Sequence, residues 1–222
     1  MKGISAYQEL EWPNSPDARP YIVLNMVSTI DGKILTGERD EPVMDLGGAN
    51  DHATMRFIES HVDGVMIGAG SLRATPKIWY PAGLKRFVVS NSGKVPTDNR
   101  FFSDDPATAW IVTPENSNHS QSGTQVLTSP GNSLDWKLIL ETIRNVHGVK
   151  TLLVEGGSIL NSSLFQLGVI DEIFLTISPK IRLGEHVPTI ADGDSLTREN
   201  IQNFTLLSHI AIENELFLRY RK

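Results

Sequence analysis

Two glycine-containing segments have the composition of phosphate-binding loops. Each follows a short apolar run; the first holds Gly68, Gly70 and Ser71, and the second holds Glu155, Gly156, Gly157 and Ser158. Without side chains, glycines let backbone N–H groups approach a phosphate, and a helix that begins after the second segment directs its positive end towards an anion. Two such segments in one chain favour a dinucleotide pyrophosphate. Each segment alone is equally explained as a strand-to-helix turn.

A third segment bears on which dinucleotide could bind. The apolar run at residues 86–89 is followed by Ser90, Asn91 and Lys94, which offer a hydroxyl, an amide and a cation and no carboxylate. An acidic residue at such a strand end usually holds the ribose hydroxyls of NAD and would repel a 2′-phosphate. The segment therefore favours NADPH, and a solvated polar turn is the alternative. The first glycine segment also lacks the third glycine of the GxGxxG pattern, which disfavours an ordinary Rossmann site.

The order of apolar runs predicts an α/β fold with a central, mostly parallel sheet flanked by helices. Residues 21–29 are apolar on both faces, as in a central strand, and a helix over residues 51–62 capped by Asn50 is expected to follow. Strands and helices then alternate to about residue 170, which predicts parallel pairing. Residues 203–220 contain two apolar runs around Glu213 and Asn214, which predict a C-terminal antiparallel hairpin. Residues 113–132 are rich in Ser, Asn and Gly and predict a surface loop.

Composition narrows the class of partner. The formal net charge is −6, without a basic run, so neither a nucleic acid nor an anionic membrane is the expected partner. The chain has no cysteine, and its six histidines show no HxH or HxxxH pairing, so no metal site is expected. The first residues lack the apolar core of a signal peptide, so we expect a cytoplasmic protein with a small-molecule substrate. Three prolines make residues 1–20 an irregular arm, free to pack on a neighbour, before a single domain over residues 21–222.

Five sequence motifs occur together in a recognisable order. They are NMVSTIDGKI, DHATMRFIESHVDGVMIGAGSL, VVSNSGKVP, VEGGSILN and DEIFLTISPKI. In order and spacing this chain resembles the reductase family of riboflavin biosynthesis, over roughly residues 19–220. The resemblance implies a dihydrofolate-reductase-like three-layer fold and hydride transfer from NADPH to C1′ of a pyrimidine ribosylamine 5′-phosphate. The zinc-dependent deaminase to which bacterial members are fused needs cysteines that this chain lacks.

The resemblance also implies roles for individual residues. Asn25, Thr29 and Thr75 would border the substrate, and Asp31 or Glu155 would supply the proton that accompanies the hydride, unless water does so. The cofactor would lie along two sets of residues, namely Gly68, Gly70, Ser71 and Leu72, and Gly156, Gly157, Ser158 and Ile159. The peptide between the two adjacent glycines is expected to be cis. A homodimer is expected because the family pairs through a sheet edge and the C-terminal hairpin here is apolar.

The chain departs from the family pattern after the first glycine segment. Residues 74–80 read ATPKIWY where the family usually has an acidic residue and a basic residue that meets the ribose phosphate. Lys77, Lys85 or Arg86 could supply the charge instead, or Trp79 and Tyr80 could stack on a flatter ligand. Glu59 replaces an arginine that is common in the family, at a position expected on the helix surface.

Three other functions stay open at this stage. One is a reductase of the same fold that acts on another carbonyl, an imine or a pterin-like compound. Another is a nucleotide-binding module without chemistry. The third, a hydrolase that uses an adjacent acidic pair such as Asp104–Asp105 or Asp171–Glu172, is disfavoured because neighbouring residues point apart.

Overall fold

The computed structural model describes residues 3–38, 41, 43, 45–75, 77–117 and 123–222. These residues form one sheet of nine strands with the order β5-β4-β3-β2-β6-β1-β7-β9-β8. The strands are β1 (Tyr21–Thr29), β2 (Gly64–Gly68), β3 (Lys85–Val89), β4 (Ala109–Pro114), β5 (Gln125–Ser129), β6 (Thr151–Val154), β7 (Glu172–Ser178), β8 (Thr205–Ile212) and β9 (Glu215–Arg221). Strands β1 to β7 pair in parallel, and β9 is antiparallel to both β7 and β8. The predicted parallel sheet with a C-terminal antiparallel hairpin is confirmed.

Helices cover both faces of this sheet. They are α1 (Ala49–Glu59), α2 (Ala69–Ala74), α3 (Arg100–Ser103), α4 (Trp136–Asn145) and α5 (Ser158–Gln166), with 3₁₀ turns at Pro106–Thr108 and Arg198–Asn200. One apolar cluster joins odd-numbered β1 residues such as Val23 to Ile58 of α1 and Phe101 of α3. The other joins even-numbered residues such as Leu24 to Ile139 of α4 and Leu164 of α5. Because successive strand residues face opposite sides, β1 contributes to both layers, as its uninterrupted apolar sequence predicts.

Two local predictions need correction. Asn50 does not cap α1, which begins at Ala49 after Gly48; its Oδ1 accepts a hydrogen bond from Ile4 N at 2.9 Å instead. The predicted surface loop at residues 113–132 contains β5, which pairs with β4 at the edge of the sheet; residues 118–122 of that segment lie outside the described part. The polar alternation of Gln125–Ser129 concealed a strand because only one of its faces is buried.

The N-terminal arm packs on the domain that follows it. Residues 3–20 contain no helix or strand, as the prolines predict, yet Tyr7 and Leu10 are buried in the core cluster with α1. Ala6 N donates to Thr54 Oγ1 of that helix at 2.9 Å. The arm therefore covers its own domain along this length. No helix among the described residues has the length and apolar character needed to cross a bilayer.

Candidate active site

A cleft of about 880 Å³ opens at the carboxyl ends of the parallel strands. The strand order places the ends of β3, β2 and β6 side by side, so loops far apart in sequence meet there. This is the position at which open parallel sheets commonly bind ligands. Most residues predicted for the site line the cleft: Asn25, Gly68, Gly70, Ser71, Thr75, Ser90, Asn91, Glu155, Gly156, Gly157, Ser158 and Ile159.

The two glycine loops are in direct contact. Gly68 N donates a hydrogen bond to Gly156 O at 2.7 Å, and a Cβ placed on Gly157 would lie 3.2 Å from Ser71 Oγ. Gly156 has a φ of +84°, which favours glycine, and the Gly156–Gly157 peptide is cis, as the family resemblance predicted. The loops thus form one wall built largely of backbone, which a ligand can approach closely.

This wall suits the pyrophosphate of a dinucleotide. Helix α5 begins at Ser158 directly after the second loop, and no side chain caps its first turn. The N–H groups of a first helical turn have no partners within the helix, and the helix dipole favours an anion beside them. Ser90, Asn91 and Ser92 extend the lining beyond β3. The hydrogen-bond donors along the wall are therefore neutral backbone N–H groups, and hydroxyl and amide side chains continue the lining beyond β3.

Thr29 and Asp31 lie outside the cleft lining, although the resemblance places Thr29 beside the substrate and makes Asp31 a candidate proton donor. Thr29 Oγ1 donates to Asp31 Oδ1 at 2.6 Å, and the N–H groups of Arg182 and Leu183 donate to the same carboxylate at 3.1 and 2.8 Å. These hydrogen bonds, that from Thr29 above all, lower the pKa of Asp31 to about 2. Asp31 is thus ionised at neutral pH and unsuited to donate a proton; it fastens the β1 exit to the loop after β7.

Leu72 and Lys94 also lie outside the cleft lining. Leu72 is fully buried in the core on the inner face of α2. Lys94 is exposed, and its backbone belongs to a turn in which Ser90 Oγ donates to Lys94 O at 3.5 Å. The Lys94 ammonium therefore does not face the cleft in this structure, whereas the hydroxyl and amide groups before it do.

Glu155 lies in the cleft with a buried partner. Tyr80 Oη donates to Glu155 Oε2 at 2.8 Å, while Glu155 Oε1 is buried without a hydrogen-bond partner. Burial raises the pKa of Glu155, and the Tyr80 hydrogen bond opposes this rise. Of the two candidate proton donors, Glu155 is the one whose surroundings favour the protonated acid near neutral pH.

The expected surface position of Glu59 was wrong. Its side chain is 1% exposed, lines the cleft and lies within hydrogen-bonding reach of Glu155. Arg56, one helical turn earlier, donates to Glu59 Oε2 at 2.6 Å. The α1 sequence alone does not reveal this, because Glu59 follows the apolar pair Phe57 and Ile58 and only the docking angle of α1 turns it inwards.

The altered segment at residues 74–80 presents an aromatic face and cations. Trp79 is 42% exposed, and the Arg56 and Arg100 guanidinium carbons lie 4.2 and 5.9 Å from its ring centroid. Tyr80 is buried and packs edge-on against Phe101, so it offers no stacking face. Pro76 lies outside the described residues.

The positive charge at the cleft comes partly from residues that sequence reasoning missed. Lys77 lines the cleft as one of the candidates named from the sequence, and so do Arg56 and Arg73. Arg86 is buried and bonds Thr108, while Lys85 lies away from the cleft at the start of β3. The spacing of three residues between Arg56 and Glu59 predicts an ion pair on one helix face, but the sequence does not show that this face meets the cleft.

The acidic pairs considered for hydrolysis have structural partners. Asp171 forms a two-pronged ion pair with Arg19, at 2.6 and 2.8 Å. Asp104 pairs with Arg100, and Asp105 caps the 3₁₀ turn at Pro106–Thr108. None of these carboxylates lines the cleft. Among the residues that the structure describes, no group of three or more His, Asp or Glu side chains could hold a metal ion.

The cleft and its loops can now be compared with known proteins. The RibD C-terminal domain family matches residues 20–218. This chain belongs to that family. A 2,5-diamino-6-ribosylamino-4(3H)-pyrimidinone 5′-phosphate reductase from Methanothermobacter thermautotrophicus is 27% identical over 214 residues, which are 88% of this chain and 97% of the relative. The predicted riboflavin-reductase membership is confirmed.

Solved structures agree on the fold. Acinetobacter baumannii RibD superposes with a TM-score of 0.75 at 20% identity, covering 92% of this chain and 58% of that one. This chain thus spans little more than half of that RibD protein. A dihydrofolate reductase from Enterococcus faecalis, complexed with NADP(H), gives a TM-score of 0.53 at 12% identity over 90% of this chain and 95% of that chain. The predicted dihydrofolate-reductase-like fold is confirmed.

Proposed function

We propose that this protein is an NADPH-dependent reductase that acts on a pyrimidine ribosylamine 5′-phosphate and opens its ribose to a ribityl chain. The observation that carries the proposal is the contact of two glycine loops, Gly68 N to Gly156 O, beside the raised-pKa acid Glu155 in one cleft. Membership in the RibD C-terminal domain family, with relatives named as pyrimidinone phosphate reductases, supports the choice of substrate.

The chain's own residues would bind and orient the two reactants. The backbone of Gly68, Gly156 and Gly157 and the first turn of α5 would hold the pyrophosphate. Ser90 and Asn91 would meet the adenosine ribose and its 2′-phosphate, which supports NADPH because no carboxylate stands there. When bound, the reduced nicotinamide supplies the hydride.

The substrate would lie beside Asn25, Thr75 and Glu155. Asn25 on β1 and Glu155 after β6 line the same cleft on neighbouring strands. Arg56, Arg73 and Lys77 place positive charge at this cleft, where a ribose phosphate needs it. Glu155 would give its proton to the departing ring oxygen, a role that general acids commonly fill.

The decisive experiment is a spectrophotometric oxidation assay with the pyrimidine ribosylamine 5′-phosphate, run with NADPH and with NADH. We expect turnover with NADPH and markedly weaker turnover with NADH. A parallel panel of aldehydes, imines and pterins tests the second candidate, which the exposed Trp79 between two arginines favours. NADPH binding without oxidation of any compound would contradict a reductase and identify a nucleotide-binding module.

The glycine wall has its own test. Gly157→Ala should weaken NADPH binding strongly, because the new methyl group meets Ser71 Oγ and enters the space assigned to the pyrophosphate. Calorimetric titration measures the change, and a thermal melt of the same variant checks that its fold is kept. Unchanged NADPH affinity in Gly157→Ala would mean that the second glycine loop is only a turn and does not bind the cofactor.

We also propose a homodimer that forms through the β8 edge. Strand β8 pairs on one side only, and Leu206 and Leu207 on it are 46% and 43% exposed. An apolar edge strand is a template for pairing with a second chain. Light scattering at micromolar concentration should give twice the monomer mass, and a monomer contradicts the proposal. The cytoplasmic location expected from the sequence stays a prediction.

A further inference from the structure

Two glutamates, the buried Glu59 and the half-buried Glu155, meet at the cleft from different parts of the fold. Glu59 is the last residue of α1, and Glu155 follows β6; both line the cleft and lie within hydrogen-bonding reach of each other. Glu59 is 1% exposed. A pair of carboxylates this close and this dry cannot both carry a charge at an ordinary cost.

Each glutamate has one oxygen with a partner and one without. Arg56 donates to Glu59 Oε2 at 2.6 Å, and Tyr80 donates to Glu155 Oε2 at 2.8 Å. The Oε1 atoms of both glutamates are buried and accept no hydrogen bond from any residue that the structure describes. A buried oxygen without a donor is unfavourable, and one shared proton would relieve it by making one carboxyl group the donor to the other.

The charges around the two glutamates also favour one shared proton. Two carboxylates beside the single guanidinium of Arg56 leave one net negative charge, and one proton neutralises the group. Asp51, on the same helix, adds further negative potential at Glu155. Tyr80 contributes a neutral donor, since burial raises the pKa of its hydroxyl well above the ordinary value.

The direction of titration agrees with this arrangement. Burial, followed by the charge of Glu155, raises the pKa of Glu59 to about 9 against the opposing effect of Arg56. Burial raises the pKa of Glu155 as well, against the hydrogen bond from Tyr80, the charge of Arg56 and the hydrogen bond from Glu59. The two groups titrate as one coupled system.

We propose that Glu59 and Glu155 hold one proton between them at neutral pH, and that Glu59 is the positioning residue that makes this proton available to Glu155. The use of the proton rests on the proposed function. Neither the sequence pattern of α1 nor the position of Glu155 alone points to the pair, which only the packing of α1 on β6 brings together.

The proton completes the balance of the proposed reduction. Addition of a hydride at C1′ breaks the bond from C1′ to the ring oxygen, and the bonding electron pair stays on that oxygen. The oxygen then takes the proton held by Glu155, and the ribosyl carbon is reduced as the reduced nicotinamide is oxidised. After the product leaves, a proton from water in the open cleft restores the Glu59–Glu155 pair.

The test is an NMR titration of isotope-labelled glutamate carboxyl groups in the protein without cofactor. The wild type should show a carboxyl that titrates above neutral pH. In Glu59→Gln this titration should move down by about one pH unit or more, because the second carboxyl group of the coupled pair is gone and Glu155 keeps the hydrogen bond from Tyr80 and the nearby charge of Arg56. Glu141→Gln, on α4 and away from the cleft, is the matched control and should leave it unchanged.

Tyr80→Phe provides a second variant of opposite sign. Removal of the donor to Glu155 should move the same titration to higher pH, a pattern that a merely structural role of Glu59 would not produce. It also keeps the proposal testable if Glu59→Gln does not fold. Titration of every glutamate near the ordinary value in the wild type overturns the proposal, as does an upper titration that persists unshifted in Glu59→Gln.

The pH dependence of turnover separates this proposal from the function. With an active wild type, the alkaline limb of the kcat profile should shift to lower pH in Glu59→Gln, while KM for NADPH changes little. An enzyme without pyrimidine reductase activity that still shows the upper titration and its two opposite shifts contradicts the proposed function and supports the shared proton. An enzyme that reduces the pyrimidine while both glutamates titrate near the ordinary value supports the proposed function and contradicts the shared proton.

Discussion

Glutamates shielded from solvent occur at both ends of the parallel sheet, but their carboxylate oxygens differ in the hydrogen bonds that they accept. At the amino end of β7, Glu172 is fully buried, yet its two carboxylate oxygens accept from Tyr21, Arg219 and Arg221. At the carboxyl end of β6, Arg56 donates to Glu59 and acts on Glu155 only through its charge, and each glutamate keeps one oxygen without a partner among the described residues. The two arginines beside Glu172 stabilise its ionised form and the fold. The single arginine beside Glu59 and Glu155 leaves one negative charge, which favours retention of a proton. The difference shows that the end of the sheet which holds the cleft carries incompletely satisfied groups.

The first prediction addresses the cleft end of this comparison and has the largest expected effect. Glu155→Gln should lower kcat by about 10²–10⁴-fold, the usual loss on removal of a general acid, because an amide cannot supply the proton. The free energy of unfolding should change little, since glutamine has nearly the same size and shape as a protonated glutamate. Steady-state rates and urea unfolding of the same preparation measure both quantities. If Glu155→Gln retains most of the wild-type kcat, another group, such as water, supplies the proton.

The second prediction addresses the opposite end. Glu172→Ala should lower the free energy of unfolding by about 3 kcal/mol, because two arginines and a tyrosine lose their common acceptor. The kcat of the folded fraction should stay near the wild-type value, since Glu172 does not line the cleft. Urea denaturation with an activity assay separates the two. A loss of kcat in fully folded Glu172→Ala would break the contrast between the ends.

The third prediction concerns stability as a function of pH. The raised pKa of Glu59, about 9, means that the folded state keeps a proton which the unfolded chain releases near the ordinary glutamate pKa. Its contribution is fully present below the unfolded pKa and is lost as pH rises towards 9, with a slope of at most about 1.4 kcal/mol per pH unit. Unfolding free energies between these limits should fall with pH in the wild type and remain flatter in Glu59→Gln. Parallel curves would contradict the assignment.

The fourth prediction has the smallest expected effect. Asp31→Asn should change kcat by less than about tenfold, a loss of under about 1.4 kcal/mol in transition-state stabilisation, because Asp31 is outside the cleft lining. The lowered pKa of Asp31, about 2, means that its stabilising effect is present above the unfolded pKa and is lost as pH falls through about 2. Thermal melts at neutral and acidic pH should show a deficit in the variant only at the higher pH. A large loss of kcat would restore Asp31 as a candidate proton donor.

The sequence by itself determined the α/β class, the parallel sheet with its final hairpin, and the two glycine loops. These follow from local patterns: apolar runs set strands, turn residues set their ends, and glycine marks close backbone approach. Strand β5 was not predicted because three of the five residues in Gln125–Ser129 are polar. The family resemblance, carried by short motifs, supplied the cis peptide and the place of Glu155.

Only the tertiary structure decided what each acid does. Asp31, Glu155 and Glu172 are all acidic residues in the sequence, but their surroundings are set by donors 47 to 151 positions away, namely Arg182 for Asp31, Tyr80 for Glu155 and Arg219 for Glu172. Sequence periodicity says which face of α1 is apolar, not which strand end it meets. The packing of α1 against the end of β6 turns Glu59 from a surface residue into the partner of Glu155, because desolvation and a neighbouring charge act only at contact distance.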